Sequence, residues 1–218
     1  MLLQNLNTLK PKKFLSLGRH PLAHIGDLTK PYFVTIGCSY TYGVGLNYED
    51  TWSSKLANTL GLEHVNLSFP GTSIEYQYEK ILQAETILSK AKFIIWMQSS
   101  PVRSHRTSIS FLIGDKSARI PVSITWDDKK LWEKVRKFYD LCKNKKIIFI
   151  NGWRWNKKIK LLLESKICKN NKNYFFNKYE PEDLAFDKLH PGPGSHLHLV
   201  NDLIPHITKH FSDWITNK

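Results

Sequence analysis

Two short stretches carry the residues that could do chemistry. In Phe33-Val-Thr-Ile-Gly-Cys-Ser-Tyr-Thr-Tyr-Gly43 an apolar run leads through a glycine to Ser39. Far downstream, Asp187-Lys-Leu-His-Pro-Gly-Pro-Gly194 sets Asp187 three residues before His190, on a loop stiffened by prolines. A serine hydroxyl becomes a nucleophile when a histidine takes its proton, and the histidine works when an acceptor on its other ring nitrogen fixes the tautomer. An i, i+3 turn can bring the Asp187 carboxylate to the His190 ring, so Ser39, Asp187 and His190 read as a catalytic triad for acyl transfer. Each half has a plainer reading: a serine after a strand often caps the next helix, and an aspartate beside Pro and Gly often caps a turn. It is the pairing of the two halves that favours the nucleophile. Cys38 is the weaker alternative, because neighbours on an extended chain point to opposite faces.

Acyl transfer also needs donors for an oxyanion. The backbone N–H groups of Ser39 and Gly71 are candidates, with the Gln98 amide or the Ser99 hydroxyl from the end of the third strand completing the set. His190, His196 and His198 raise the question of a metal. Residues two apart on a helix face different ways and no carboxylate-rich motif supplies further ligands, so no metal is expected.

These residues need a scaffold whose strands end together. Phe33–Ile36, His64–Leu67, Phe93–Met97, Ile147–Ile150 and Tyr174–Phe176 read as strands. Between and after them, helices are expected over Asp50–Leu60, Ile74–Ser89, Asp127–Cys142, Trp155–Ile167 and Ser195–Thr216, the last with a kink or boundary at Pro205. Alternating strands and helices imply an α/β protein, a three-layer α/β/α sandwich on a mainly parallel sheet of about five strands. Ser108–Ile113 and Arg119–Ile124 around Gly114-Asp115 read as an inserted β-hairpin. Residues 1–31, divided by Pro11, Pro21 and Pro31, read as an arm, and 32–218 as a single domain. In a parallel sheet the carboxyl ends of the strands gather the ligand, and the segments after strands one, two and three bring Ser39, Gly71, Gln98 and Ser99 to one edge.

Composition limits the setting. The 218 residues are 41% hydrophobic, enough for one core, and carry a formal charge of +13. The lysines crowd into the second half, at 143–146, 157–160 and 166–172. A solvated basic surface is the plainer account of that charge, and an acidic polymer the sharper one; no nucleic-acid-binding signature accompanies it. Three cysteines without Cys-x-x-Cys spacing fit a reducing, cytoplasmic setting. No apolar run has the length of a membrane span, and the first residues lack the pattern of a secretory signal.

From Phe33 to the end, these blocks in this order resemble the SGNH (GDSL-like) hydrolase superfamily: a Ser block after the first strand, a Gly block after the second, a third-strand block, and Asp-x-x-His before the last helix. The resemblance implies a flavodoxin-like fold, hydrolysis of an ester or O-acetyl group, no cofactor, and Ser39, Asp187 and His190 as the triad. The chain departs from that pattern twice. Gly37-Cys38-Ser39 stands where the superfamily has Gly-Asp-Ser, and Met97-Gln98-Ser99-Ser100 where it has Gly-x-Asn-Asp. The asparagine donor is thus absent, a loss of about 100- to 1000-fold in turnover unless replaced. The variant resembles a divergent subgroup found among phage and environmental bacterial sequences. The expectation is a serine esterase acting on a small ester or acylated carbohydrate. The alternatives are a non-catalytic protein binding a glycan or acidic partner in the same cleft and, less favoured, a nucleic-acid-associated protein. Trp96, Trp126, Trp153 and Trp155 would suit sugar stacking, although the core is the commoner place for Trp96 and Trp126.

Overall fold

Both faces of the strands at Tyr32–Ile36, Ile94–Gln98 and Ile147–Asn151 are buried and largely apolar, as the centre of a parallel sheet covered on both sides requires. The computed structural model describes residues 24–101, 128–142, 145–152, 161, 164–167, 171–177, 181 and 183–216. Within them lie β1 (Tyr32–Ile36), β2 (Glu63–Asn66), β3 (Ile94–Gln98), β4 (Ile147–Asn151) and β5 (Tyr174–Phe175). They form one parallel sheet of order β2-β1-β3-β4-β5. The helices are α1 (Ser39–Tyr42), α2 (Trp52–Leu60), α3 (Ile74–Gln83), α4 (Glu85–Lys90), α5 (Asp128–Cys142) and α6 (Pro193–Thr216).

Phe33, Ile95, Met97, Ile148 and Ile150 pack on Trp52 and Leu56 of α2 and on Leu199, Leu203 and Ile207 of α6. The alternate residues Val34, Ile36, Ile94, Trp96, Ile147 and Phe149 pack on Ile74, Ile81, Ile87, Val135 and Phe138 from α3, α4 and α5. Three layers result, as the alternation of strands and helices predicts. The order reverses between β1 and β3, since the chain leaves β1 for β2 on one side and returns to β3 on the other. The crevice beyond the carboxyl ends of β1 and β3 is therefore where a ligand is expected.

Three boundaries differ from the sequence reading. The span Ile74–Ser89 is two helices, because Ala84 leaves the helical region at φ −98°, ψ 17°; the break leaves Ile81 and Ile87 both facing the sheet. The closing helix runs through Pro205, and its non-helical residue is Phe211 (φ −141°, ψ 23°). Pro205 and Asn201, whose carbonyl Pro205 leaves without its helical donor, are on the exposed side, where water can take that partner's place. Phe211 is fully buried, with its ring 4.3 Å from that of Trp214. The helix expected from Asp50 begins instead at Trp52, with Thr51 as its cap accepting from Ser54 N–H. The expected hairpin, most of the helix expected over 155–167, residues 1–23 and Trp126, Trp153 and Trp155 lie outside the described residues. The first described residues lie beside β2, with Ile25 bridging Val65 antiparallel and Asn66 N–H donating to His24 C=O.

Two buried histidines fasten the layers. The His64 ring pairs with Thr35 Oγ1 at 2.8 Å and Tyr48 OH at 3.1 Å. His196 Nδ1 accepts the Trp52 N–H at 2.9 Å, tying α6 to the start of α2. Burial pushes both imidazoles down to about 3; at His64 the neighbouring His24 adds to the effect, and at His196 the Asp183 charge opposes it. The unfolded chain, with imidazoles near 6.5, then takes up protons that the native state refuses. Stability should be full above pH 6.5 and fall steadily as the pH drops toward about 3. Urea midpoints at a series of pH values measure this, and a flatter slope is expected for His64→Gln.

Candidate active site

Ser39 sits where the chain leaves β1. Gly37 makes the turn possible: a Cβ there would lie 2.1 Å from Thr41 Oγ1 and 3.2 Å from the Met97 carbonyl. The four-residue helix α1 therefore starts hard against the end of β3. Ser39 is its first residue, 5% exposed, and the capping position belongs to Cys38, which makes no side-chain cap bond. The plainer reading of Ser39 as a helix cap is not what the structure shows. Cys38 packs into the core with Tyr40 and Trp52.

Asp187 and His190 are joined directly. One carboxylate oxygen of Asp187 accepts from the Leu189 N–H at 3.0 Å and the His190 N–H at 3.1 Å, which folds the turn, with Lys188 in the left-handed region at φ 56°. The other oxygen bonds His190 Nδ1. An ionised carboxylate only accepts, so Nδ1 carries the hydrogen and Nε2 presents its lone pair, the tautomer a general base requires. Burial alone would raise the Asp187 carboxyl, but the His190 ring and the two N–H groups outweigh it and hold it below its ordinary value.

The loop bearing this pair is anchored at both ends. Ala185 N–H donates to His190 C=O at 2.9 Å, and Leu184 bridges Pro191 antiparallel. Asp183 receives the Gly194 and Ser195 N–H groups at 2.8 and 2.7 Å, capping α6 from outside the helix. Sequence reasoning passed over Asp183; its signal was an acidic residue ahead of Pro193, a proline suited to the first helical position. The loop also meets the segment after Ser39. Phe186 N–H donates to Gly45 C=O at 3.1 Å, and the Tyr40 ring stands edge-on to His190 at 5.6 Å. Among the described residues no hydrogen bond joins Ser39 Oγ to His190 Nε2, a contact that commonly tightens only with substrate in place.

Gly45 is at φ +79°, and a Cβ there would stand 3.0 Å from both the Asp187 carboxyl carbon and Ala185 Cβ. Gly45→Ala should cost about 1–2 kcal/mol for the left-handed backbone alone. It should also lower turnover by pushing the Asp187 carboxylate off His190. A thermal melt and steady-state kinetics separate the two effects.

The proposed oxyanion residues lie on the same edge in different surroundings. Gly71 is at φ 76° in the turn after β2. Gln98 ends β3, fully buried, with Oε1 accepting from Tyr174 OH at 3.0 Å. Ser99 donates its hydroxyl hydrogen to Thr72 C=O at 2.6 Å and accepts from Gln77 Nε2 at 2.5 Å. Trp96 is a core residue whose Nε1 donates to Gln77 Oε1 at 2.9 Å. The two other histidines weighed as metal ligands face elsewhere: His196 is buried against α2, and His198 is half exposed and pairs with Asp202 at 3.4 Å. Among the described residues no group of three or more His, Cys, Asp and Glu side chains is arranged to hold a metal. No helix among them is long and apolar enough to cross a membrane.

No protein-family model and no curated protein matches the chain. Solved structures do match in fold. TesA is 12% identical, with a TM-score of 0.51 over 82% of this chain and 98% of its own. A G-D-S-L family lipolytic protein of Desulfitobacterium hafniense DCB-2 is 18% identical, with a TM-score of 0.52 over 80% of this chain and 98% of its own. A carbohydrate esterase whose active site is described as having divergent catalytic and non-catalytic binding functions is 15% identical, with a TM-score of 0.54 over 89% of this chain and 69% of its own.

Proposed function

On a scaffold that has the GDSL-type hydrolase fold, we propose that the chain is a serine ester hydrolase. The observation that carries this reading is the Asp187–His190 pair, its tautomer set for a base, on a loop bonded to the segment that follows Ser39. Ser39 Oγ attacks the ester carbonyl while His190 Nε2 takes its proton. The same proton passes to the departing alcohol, and water then releases the acyl group by the reverse roles. Asp187 stays ionised throughout and stabilises the imidazolium. The Ser39 and Gly71 backbone N–H groups receive the oxyanion, with the Gln98 amide or the Ser99 hydroxyl as the side-chain donor. Ser99 would have to release the Thr72 carbonyl to serve, which favours Gln98.

The substrate class proposed is a small ester or an O-acetylated carbohydrate, in line with the carbohydrate esterase of similar fold. A fluorophosphonate probe, read by intact mass and peptide mapping, tests the reaction type. Labelling at Ser39 together with release of p-nitrophenol from short esters supports the reading. An unlabelled, inactive protein that still binds acetylated oligosaccharide favours a binding cleft instead, an arrangement to which the Ser99 hydroxyl, already spent on Thr72, is suited.

A further inference from the structure

We propose that Gln77 is a positioning residue for the oxyanion side of this site, clamping the loop after β2 to the end of β3; the inference rests on the esterase reading above. Gln77 lies on α3, 1% exposed, and its amide makes four hydrogen bonds. Oε1 accepts from Trp96 Nε1 at 2.9 Å and from the Ser99 N–H at 3.2 Å. Nε2 donates to Thr72 Oγ1 at 3.2 Å and to Ser99 Oγ at 2.5 Å. The indole and the backbone N–H can only donate, so the amide's orientation is fixed, and two acceptor bonds with two donor bonds match its capacity.

The bonds continue outward from the amide. Ser99, having accepted from Gln77, passes its hydrogen to Thr72 C=O. Thr72 Oγ1 faces the carbonyls of Gly37 at 3.2 Å and Phe69 at 2.9 Å. One buried side chain thereby joins the three strand ends that supply the proposed oxyanion donors: Gly37 just before Ser39, Thr72 beside Gly71, and Ser99 beside Gln98. Thr72, Ser99 and Trp96 are each at most 1% exposed. A fully satisfied polar network of this kind fixes one arrangement of its members, whereas a partly satisfied one is costly and loose. Catalysis by backbone donors depends on their being held before charge develops. In a chain without the asparagine donor, a clamp on the Gly71 loop places that burden on the fixed backbone.

The test is Gln77→Glu beside Gln77→Ala. The carboxyl of Gln77→Glu keeps acceptors for Trp96 and the Ser99 N–H but offers at most one hydrogen to Thr72 Oγ1 and Ser99 Oγ, where the amide gives two. At least one of the two donor bonds is lost, and with it part of the join between the Gly71 loop and the end of β3. For p-nitrophenyl acetate, kcat should fall about 100-fold with KM within about twofold. Amide exchange should quicken in 69–73 and 99–101 while β1 and β4 stay protected. An active wild type with unchanged kcat in both variants overturns the proposal, as does loss of protection spread over the whole sheet, which would make Gln77 a folding residue only. Failure of the esterase reading shows separately, as a wild type unlabelled at Ser39. Even then, unchanged exchange in Gln77→Glu overturns the clamp, and faster exchange confined to the two segments supports it.

Discussion

Ser39→Ala is expected to lower kcat for p-nitrophenyl acetate by about 10⁶-fold, the scale of loss when the nucleophile of a serine–histidine pair is removed. The protein should remain folded. Ser39 is 5% exposed at the start of α1, the capping position before it belongs to Cys38, and alanine is smaller and favours helix. Circular dichroism and a thermal melt check the fold, and a burst-free progress curve checks the chemistry. Wild-type activity in the variant would remove Ser39 from the mechanism. Cys38 is a poor substitute, since it is 2% exposed and packed into the core on the α2 and α6 side of the sheet.

Asp187→Asn should cost about 10⁴-fold in kcat, because an amide N–H facing Nδ1 favours the tautomer with its proton on Nε2, where the base must be empty. The remaining amide oxygen can still accept the Leu189 and His190 N–H groups, so the turn should survive with little loss of stability. The pH dependence follows from the same geometry. Burial pushes the Asp187 carboxyl up, but its hydrogen bonds pull it below the ordinary 3.8, so it stays ionised as the pH falls through the working range. Protonation of Asp187 therefore does not limit turnover in that range. Equal losses of stability and activity in Asp187→Asn would make the pair a structural turn.

Much of the scaffold is legible in the chain, because its signals are local. Continuous apolar runs such as Phe93–Met97 read as strands covered on both faces, and the helix expected to end at Leu60 does so, with Gly61 in the left-handed region as its stop. Asp187 and His190 are legible for the same reason, since an i, i+3 turn is made by the residues it contains. The break at Ala84 and the run of helix through Pro205 are not, because packing of Ile81, Ile87 and Phe211 in the core decides them, and no residue at Ala84 or Phe211 advertises a break.

At the site the division is similar. Which residue types stand at the strand ends, and that the asparagine donor is absent, can be read from the chain alone. What each polar group is bonded to depends on the packed fold. Ser39 and Asp187 are far apart in sequence, and the Phe186–Gly45 bond that brings their loops together has no sequence signature. Gln77 reads as an ordinary residue on an amphipathic helix, yet folding places its amide among Trp96, Thr72 and Ser99. A hydrogen bond fixes direction as well as distance, and direction is set only when separate elements have packed.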